Sequence, residues 1–242
     1  MLRHVGQKRT NAHNLRLAVL LCLTAGFVNG AGFLSFYVLV TNVTGHVAQF
    51  AEKLSDGDTG TAMTIGLWML LFFLGAFVSS FIMNKIGRHQ QYSYAIPILI
   101  EILILLFVAI CGPAFDNNVK STHLFAGSLL FAMGLQNAMV SMISGSEVRT
   151  THLTGMFTDL GIETASVTLT RQDAEKKRLY NSIRLRLVII IFFFLGCITA
   201  AFLYSGLKFK IFYIPVGLLI IAMFYDIFRI KAVRAYHQLK FK

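Results

Sequence analysis

Apolar residues gather in six long runs, near residues 17–40, 63–84, 94–111, 122–144, 185–204 and 209–228, each bounded by polar or charged residues. Each approaches or exceeds the roughly 20 residues that a helix needs to cross a hydrocarbon core of about 30 Å. Two shorter, half-polar segments interrupt the pattern, one after the first run and one after the fourth. In the first of them Val47, Phe50, Ala51 and Leu54 recur at i, i+3, i+4 and i+7, which predicts a helix with one apolar face, too short to span.

The two short segments open on the same motif, T-x-x-T-G: Thr41-Asn42-Val43-Thr44-Gly45 and Thr151-His152-Leu153-Thr154-Gly155. Upstream, Gly26-Phe27-Val28-Asn29-Gly30 matches Gly134-Leu135-Gln136-Asn137-Ala138. Downstream, the Phe72-Phe73-Leu74-Gly75 run matches Phe193-Phe194-Leu195-Gly196, and Tyr94 to Pro97 matches Tyr213 to Pro215. Four matches in one order predict an internal duplication, with units 17–115 and 116–228. Three spans per unit is an odd number, so the second copy starts on the opposite side of the bilayer. The expected fold is an all-α membrane protein of six transmembrane helices, a 3+3 inverted repeat with a short half-helix after the first span of each half. Inverted repeats with short segments in matching positions are a recurring plan of secondary transporters.

Composition agrees: 56% of the 242 residues are hydrophobic and 14% charged. The net charge of +11 would suggest nucleic acid in a soluble chain. Here its distribution gives a better account. Of 22 Lys and Arg residues, 18 fall in segments 1–16, 85–91, 145–186 and 229–242, which alternate with the lysine-poor connections. That alternation follows the positive-inside rule and puts both basic tails, 1–16 and 229–242, and a basic loop, 170–186, in the cytoplasm. The expected partners are the lipid bilayer, with anionic head groups at its cytoplasmic face, and a small-molecule solute, but no nucleic acid. A homo-oligomer is left open. Trp68 is a candidate interfacial anchor. Cys22, Cys111 and Cys197 have no metal-ligand or disulfide spacing and read as buried thiols.

Thr44 and Thr154 stand where N-caps would, each just before Gly45 or Gly155 and a helical period. Helix N-termini offer free N–H groups and partial positive charge, which favour an anion. Two of them at one cavity would make a polar, anion-tolerant site, with Thr41 and Thr151 beside them; the bland alternative is two capped helices in the interface. Asn29 and Asn137 lie mid-span, where an amide either bonds across helices or faces solute, and Gln136 can join either role. Glu101 sits among Ile, Leu and Phe with no cation within a turn. Intramembrane carboxylates face a bundle interior or a wet cavity and can relay protons. Its counterpart in the second unit is Leu219, so one group would serve for coupling; the alternatives are a neutral, hydrogen-bonded structural role and a place in a cavity lining. Asp159 and Glu163 share a helical face and either line a vestibule or are solvated beside the basic loop. His46 and His152 complete no metal site. No nucleophile elbow, P-loop, zinc-protease or dinucleotide fingerprint is present, so no enzyme activity, cofactor or metal is expected.

Ala25 to Leu34, followed by Thr44-Gly45-His46, resembles the start of the YoaK-like family of bacterial six-span membrane proteins, and Gly134 to Ala138 with Thr151 to Leu160 resembles its second half. The resemblance runs from about 17 to 228 and implies a bacterial inner-membrane location without an established substrate. It also implies an acidic residue where Asn29 stands and Asn where His46 stands, two departures in this chain. The leading reading is a carrier of a small polar, anion-compatible solute, coupled to protons through Glu101, with Asp159 a second coupling candidate. Its rivals are a membrane assembly protein that packs through the Gly-rich first span, and a passive channel.

Overall fold

The computed structural model describes residues 11–87, 93–114 and 119–225. Within them every regular element is helical: α1 (Asn11–Phe36), α2 (Val43–Ser55), α3 (Thr59–Ile86), α4 (Ala95–Cys111), α5 (Val119–Ser144), α6 (Leu153–Leu169) and α7 (Asp173–Leu207). A 3-10 turn, Lys208–Phe212, then leads into helical residues 213–225, here α8. Expectations for residues 1–10, 88–92 and 226–242, which include most of both basic tails, lie outside the described residues.

Among the described residues, five helical stretches are long and apolar enough to cross a membrane: Asn11–Phe36, Thr59–Ile86, Ala95–Ala114, Ser121–Ser144 and Asp173–Tyr225. The protein is therefore an all-α, multi-pass membrane protein. The sequence pattern predicts six spans, and the difference lies in the last stretch. Its 53 residues pass from α7 into α8 through the 3-10 turn with no non-helical break. Lys208 takes a positive φ of 46° at that turn, and Phe209 packs against Gly112, at the end of α4. The stretch 170–186, expected as a solvated loop, is from Asp173 onward the first turns of α7. Its dense charges conceal an ordinary helical period.

The core depends on two helix pairs, α1 on α7 and α3 on α5. Each closes at glycine. A Cβ on Gly26 would land on the backbone carbonyl of Phe193, and one on Gly196 would land on that of Leu23. In the other pair, Gly134 meets the carbonyl of Phe72 and Gly75 that of Phe131. Gly134 aligns with Gly26, and Phe72 with Phe193, so one contact is made twice by matched residues. The Gly-rich face of the first span is thus occupied inside the chain: Gly30 packs on Cys197 and Ala200, and Gly32 on Val40 and Leu129. Between the pairs, the fully buried Gln136 donates from Nε2 to the Leu21 carbonyl of α1 at 2.8 Å.

The outer faces are apolar, as hydrocarbon contact requires. Phe73, Phe77 and Phe81 stack one above another along α3 and are each more than half exposed. Trp68 does not serve as the expected interfacial anchor. It is buried between His46 and His123, which leaves it 8% exposed. Cys111 is exposed rather than buried, because the end of α4 turns it outward, while Cys22 is buried and Cys197 half-buried.

Gly26→Ala and Gly134→Ala should each destabilise the detergent-solubilised protein by about 1–3 kcal/mol, because backbone, not a flexible side chain, stands in the way. Gly161, with open space around its Cβ position, is the control: Gly161→Ala should raise the melting temperature slightly, since Gly within a helix costs about 0.5–1 kcal/mol relative to Ala.

Candidate functional site

Neither short helix reaches spanning length: α2 has 13 residues and α6 has 17. The first begins well below the end of α1. After α1 ends at Phe36, the chain folds back until Thr41 meets Asn29, two turns before the end of that helix. At 1.5 Å rise per residue the return is roughly 10 Å. Asn29 Oδ1 accepts from the Thr41 backbone N–H at 3.2 Å and from its hydroxyl at 2.9 Å. Irregular backbone at such depth is tolerated where it is held by protein or lines a cavity.

Here both conditions are met. A cavity of about 460 Å³ is lined by Thr41, Asn42, Val43 and Thr44 from the first motif and by Thr151, His152, Leu153 and Thr154 from the second. Asn137 and Ser141 of α5, Phe72 of α3, and Ser146 and Arg149 of the connection before α6 complete it. Arg149 is the charged side chain in its lining, and no carboxylate lines it.

The helix starts differ from expectation. Thr44 and Thr154 are not caps but first-turn residues. The cap of α2 is Asn42, whose Oδ1 accepts from the Gly45 N–H at 3.0 Å. Asn suits this role at least as well as Thr, and it stands one residue before the helix. The cap position of α6 is His152, which makes no side-chain cap bond; its ring instead lies over Gly155, where a Cβ would collide with it. A side chain at Gly45 would likewise crowd the Asn42 amide, at 2.7 Å.

Of the residues singled out from sequence, Thr41, Thr44, Asn137, Thr151 and Thr154 line the cavity. Asn29, Gly45 and Gly155 stand one contact behind it. Gln136 points away, into the contact between α5 and α1, and its Oε1 has no partner. Asn29 and Asn137 are aligned positions with unlike surroundings. Asn29 is bonded twice by Thr41, whereas Asn137 Oδ1 is shut off from solvent with no donor. Thr151, the counterpart of Thr41, stays unbonded to it.

Glu101 is elsewhere. It is fully buried on α4, on the same face as Ile98, Ile102 and Leu105, and neither carboxylate oxygen has a hydrogen-bond partner among the described residues. Neither Asp159 nor Glu163 lines the cavity with the T-x-x-T-G motifs; the Asp159 side chain is 45% exposed and that of Glu163 15%. Both reach Arg186 of α7: Asp159 at 3.1 Å, and Glu163 through paired bonds at 2.8 Å with Ser182 adding one at 2.6 Å. Burial alone would lift the Glu163 carboxyl, and the Arg186 and Ser182 bonds outweigh it and hold it below its ordinary value. Glu163 and Arg186 also line a larger cavity of about 820 Å³ between the starts of α1 and α7. His46 is buried, with Nε2 2.9 Å from the Leu39 carbonyl and Nδ1 3.1 Å from Gln49. No cluster of three His, Cys, Asp or Glu among the described residues is placed to hold a metal.

Sequence reasoning passed over Asn42, Ser141, Ser146, Arg149 and His152 as site residues. Ser141 lies one helical turn beyond Asn137 and was within reach of a periodicity argument. Arg149, the single Lys or Arg of the connection 145–152, carried no signal of its own.

The comparisons with known proteins agree with a membrane protein. The family described as "Protein of unknown function (DUF1275)" matches residues 17–225. The chain is 25% identical over 209 residues to the UPF0700 transmembrane protein YoaK of Bacillus subtilis (strain 168), covering 86% of this chain and 92% of the relative. No solved structure matches.

Asn29→Leu should cost about 1–3 kcal/mol, since two buried donors of Thr41 lose their acceptor, whereas Asn137→Leu removes an oxygen already without a donor and should cost less. Melting temperatures of the two purified variants check this. Equal losses would mean that Asn137 is bonded after all.

Proposed function

We propose that this chain, which belongs to the DUF1275 family, is a secondary carrier that moves a small polar, anion-compatible solute by alternating access. The observation that carries this reading is the polar cavity between the two T-x-x-T-G motifs. Two half-helices that share a cavity form the arrangement in which discontinuous segments hold solute at mid-bilayer.

The mechanism rests on a 3+3 inverted repeat of six spans, with α8 continuing as the sixth. The matched glycine contacts, Gly26 on Phe193 and Gly134 on Phe72, support it. So does the contrast at the aligned asparagines. A carrier built from two like halves has one half closed whenever the other is open. Here Asn29 grips the first re-entrant segment through Thr41, while Asn137 leaves the second free and its side of the cavity accessible. In the opposite state the roles exchange. By the positive-inside argument the open side is cytoplasmic, in a bacterial inner membrane whose anionic head groups attract the basic tails.

Glu101 is the coupling group in this scheme. A charge there would be uncompensated, so its ionisation and the carrier's state must change together. Asp159, already neutralised by Arg186, belongs to the fastening of α6 to α7 instead. The assembly reading relied on the Gly-rich face of the first span, and those glycines already pack within the chain. A channel remains separable by kinetics.

Proteoliposomes with an internal pH-sensitive dye test the proposal against a panel of amino acids, organic acids and cations. The expected result is saturable solute movement with accompanying proton movement. Glu101→Gln should remove the proton signal by about tenfold or more while solute binding survives. Flux that rises linearly without saturation would identify a channel, and no flux of any solute would sink the carrier reading.

A further inference from the structure

We propose that His46 is a proton-binding site of the first half: its ring takes a proton at Nδ1, and the charged ring then holds the folded-back segment 37–42 more firmly against α2. The site adds to Glu101 a second group through which protons act on the molecule. Its meaning for transport rests on the carrier reading, whereas the proton binding stands on geometry alone.

The ring is 2% exposed, so both of its nitrogens depend on protein partners. Nε2 stands 2.9 Å from the Leu39 carbonyl. A carbonyl only accepts, so Nε2 carries hydrogen whatever the charge of the ring. Nδ1 stands 3.1 Å from Gln49 Oε1. An amide can turn either end to a ring: its NH2 donates to a neutral Nδ1, and its Oε1 accepts from a protonated one. His46 therefore keeps both bonds in either state, and the arrangement with Oε1 toward it is that of the charged ring. Gln49 is itself exposed, so a proton reaches Nδ1 once that one side chain swings aside.

The surroundings suit a cation without supplying a counter-charge. The Trp68 ring lies 5.7 Å from His46, centroid to centroid, and an aromatic face at that distance attracts a cation. Few charged or titratable groups stand nearby among the described residues. On α2, Lys53 is paired with Glu52 and Asp56. At the start of α3, Asp58 accepts from the Thr61 N–H, and the next charge on that helix is Lys85, at its far end. On α5, His123 meets the same Trp68 edge-on at 6.1 Å. None of the carboxylates pairs with His46, so Leu39, Gln49 and Trp68 are what stabilise its charge.

The second half shows what a cation does at this place. Through the T-x-x-T-G motifs, His46 and Gln49 align with Met156 and Asp159. There Arg186 of α7 donates to Met156 Sδ at 3.6 Å and pairs with Asp159 at 3.1 Å, so a permanent charge fastens the half-helix to the next span. The position aligned with Arg186 in α3 is Ile65, and His46 is the group of the first half that can carry charge instead. One half-helix is thus held by a fixed charge and the other by one that comes and goes with a proton. On protonation the bond to Leu39 becomes charge-assisted, roughly twice as strong as a neutral one. Leu39 lies two residues before Thr41, which Asn29 holds, so proton uptake tightens the segment that closes the first half.

Trp68 is the single tryptophan of the chain, and an imidazolium against an indole quenches its emission by accepting an electron from the excited ring. The test titrates the purified full chain in nanodiscs from about pH 8 to about pH 5, the window in which histidine is the unperturbed side chain that changes charge. Trp68 emission is one readout; hydrogen exchange of residues 37–45, corrected for its intrinsic pH dependence, is the other. Emission should fall toward acid pH, and exchange should slow by about threefold or more as the Leu39 bond gains charge. His46→Gln, which keeps a hydrogen-bonding side chain but cannot take up a proton, should abolish both responses; His46→Asn is the second variant should the first fail to fold. His123→Gln should leave both responses in place. Gln49→Leu should weaken proton uptake about tenfold, moving the emission midpoint about one pH unit toward acid. Melting temperatures confirm folding. Emission indifferent to pH, a response that survives the loss of His46 or vanishes with His123, or exchange that is faster at acid pH would overturn the assignment. No solute enters this test, so the two readings fail separately. A chain that titrates at His46 but moves nothing keeps the proton site, and a working carrier whose Trp68 ignores pH loses that site alone.

Discussion

Backbone-to-backbone approach at four glycines is the constraint on which the bundle depends. In hydrocarbon there is no general apolar attraction between helices, so association relies on close packing and on polar bonds across the interface. Gly26 and Gly196 let α1 and α7 touch along their main chains, and Gly75 and Gly134 do the same for α3 and α5. Side chains at any of them would push the axes apart. Everything between these pairs follows from that closeness, including how near Asn29 and Asn137 come to the segments that fold back toward them.

Those segments are possible because their polar backbone is accounted for. Asn29 takes the Thr41 N–H, Asn42 takes that of Gly45, and the Ser144 hydroxyl accepts from the Val148 N–H at 3.0 Å and donates back to the Val148 carbonyl at 3.1 Å. Among the described residues, buried side-chain atoms without a partner are spread along the bundle: Ser35 on α1, Trp68 and Ser79 on α3, Glu101 on α4, Gln136 and Asn137 on α5, and Thr150 before α6.

Apolar period and the doubled T-x-x-T-G motif were enough to read a helical membrane protein with two short inserted helices, because both features follow from spacing alone. The helix caps were less legible. Thr44 and Asn42 are both competent caps, and only the backbone turn at Asn42 decides between them. Trp68 looks like an interfacial residue by type, yet its position is set by His46 and His123, which come from other elements. Arg149 and Arg186 are indistinguishable in a basic stretch; one finds two carboxylates and the other none. The unlike surroundings of Asn29 and Asn137 were beyond any sequence argument, since they differ in conformation and not in residue type.

The bond from Gln136 to the Leu21 carbonyl constrains what the two helix pairs can do to one another. Sliding α5 along α1 would strand a buried amide and add to an Oε1 that already has no partner, a cost of about 1–3 kcal/mol. Tilting about that point leaves the bond intact. A seesaw pivoted at Gln136 is accordingly the low-cost motion of this bundle, and a piston stroke is the expensive one.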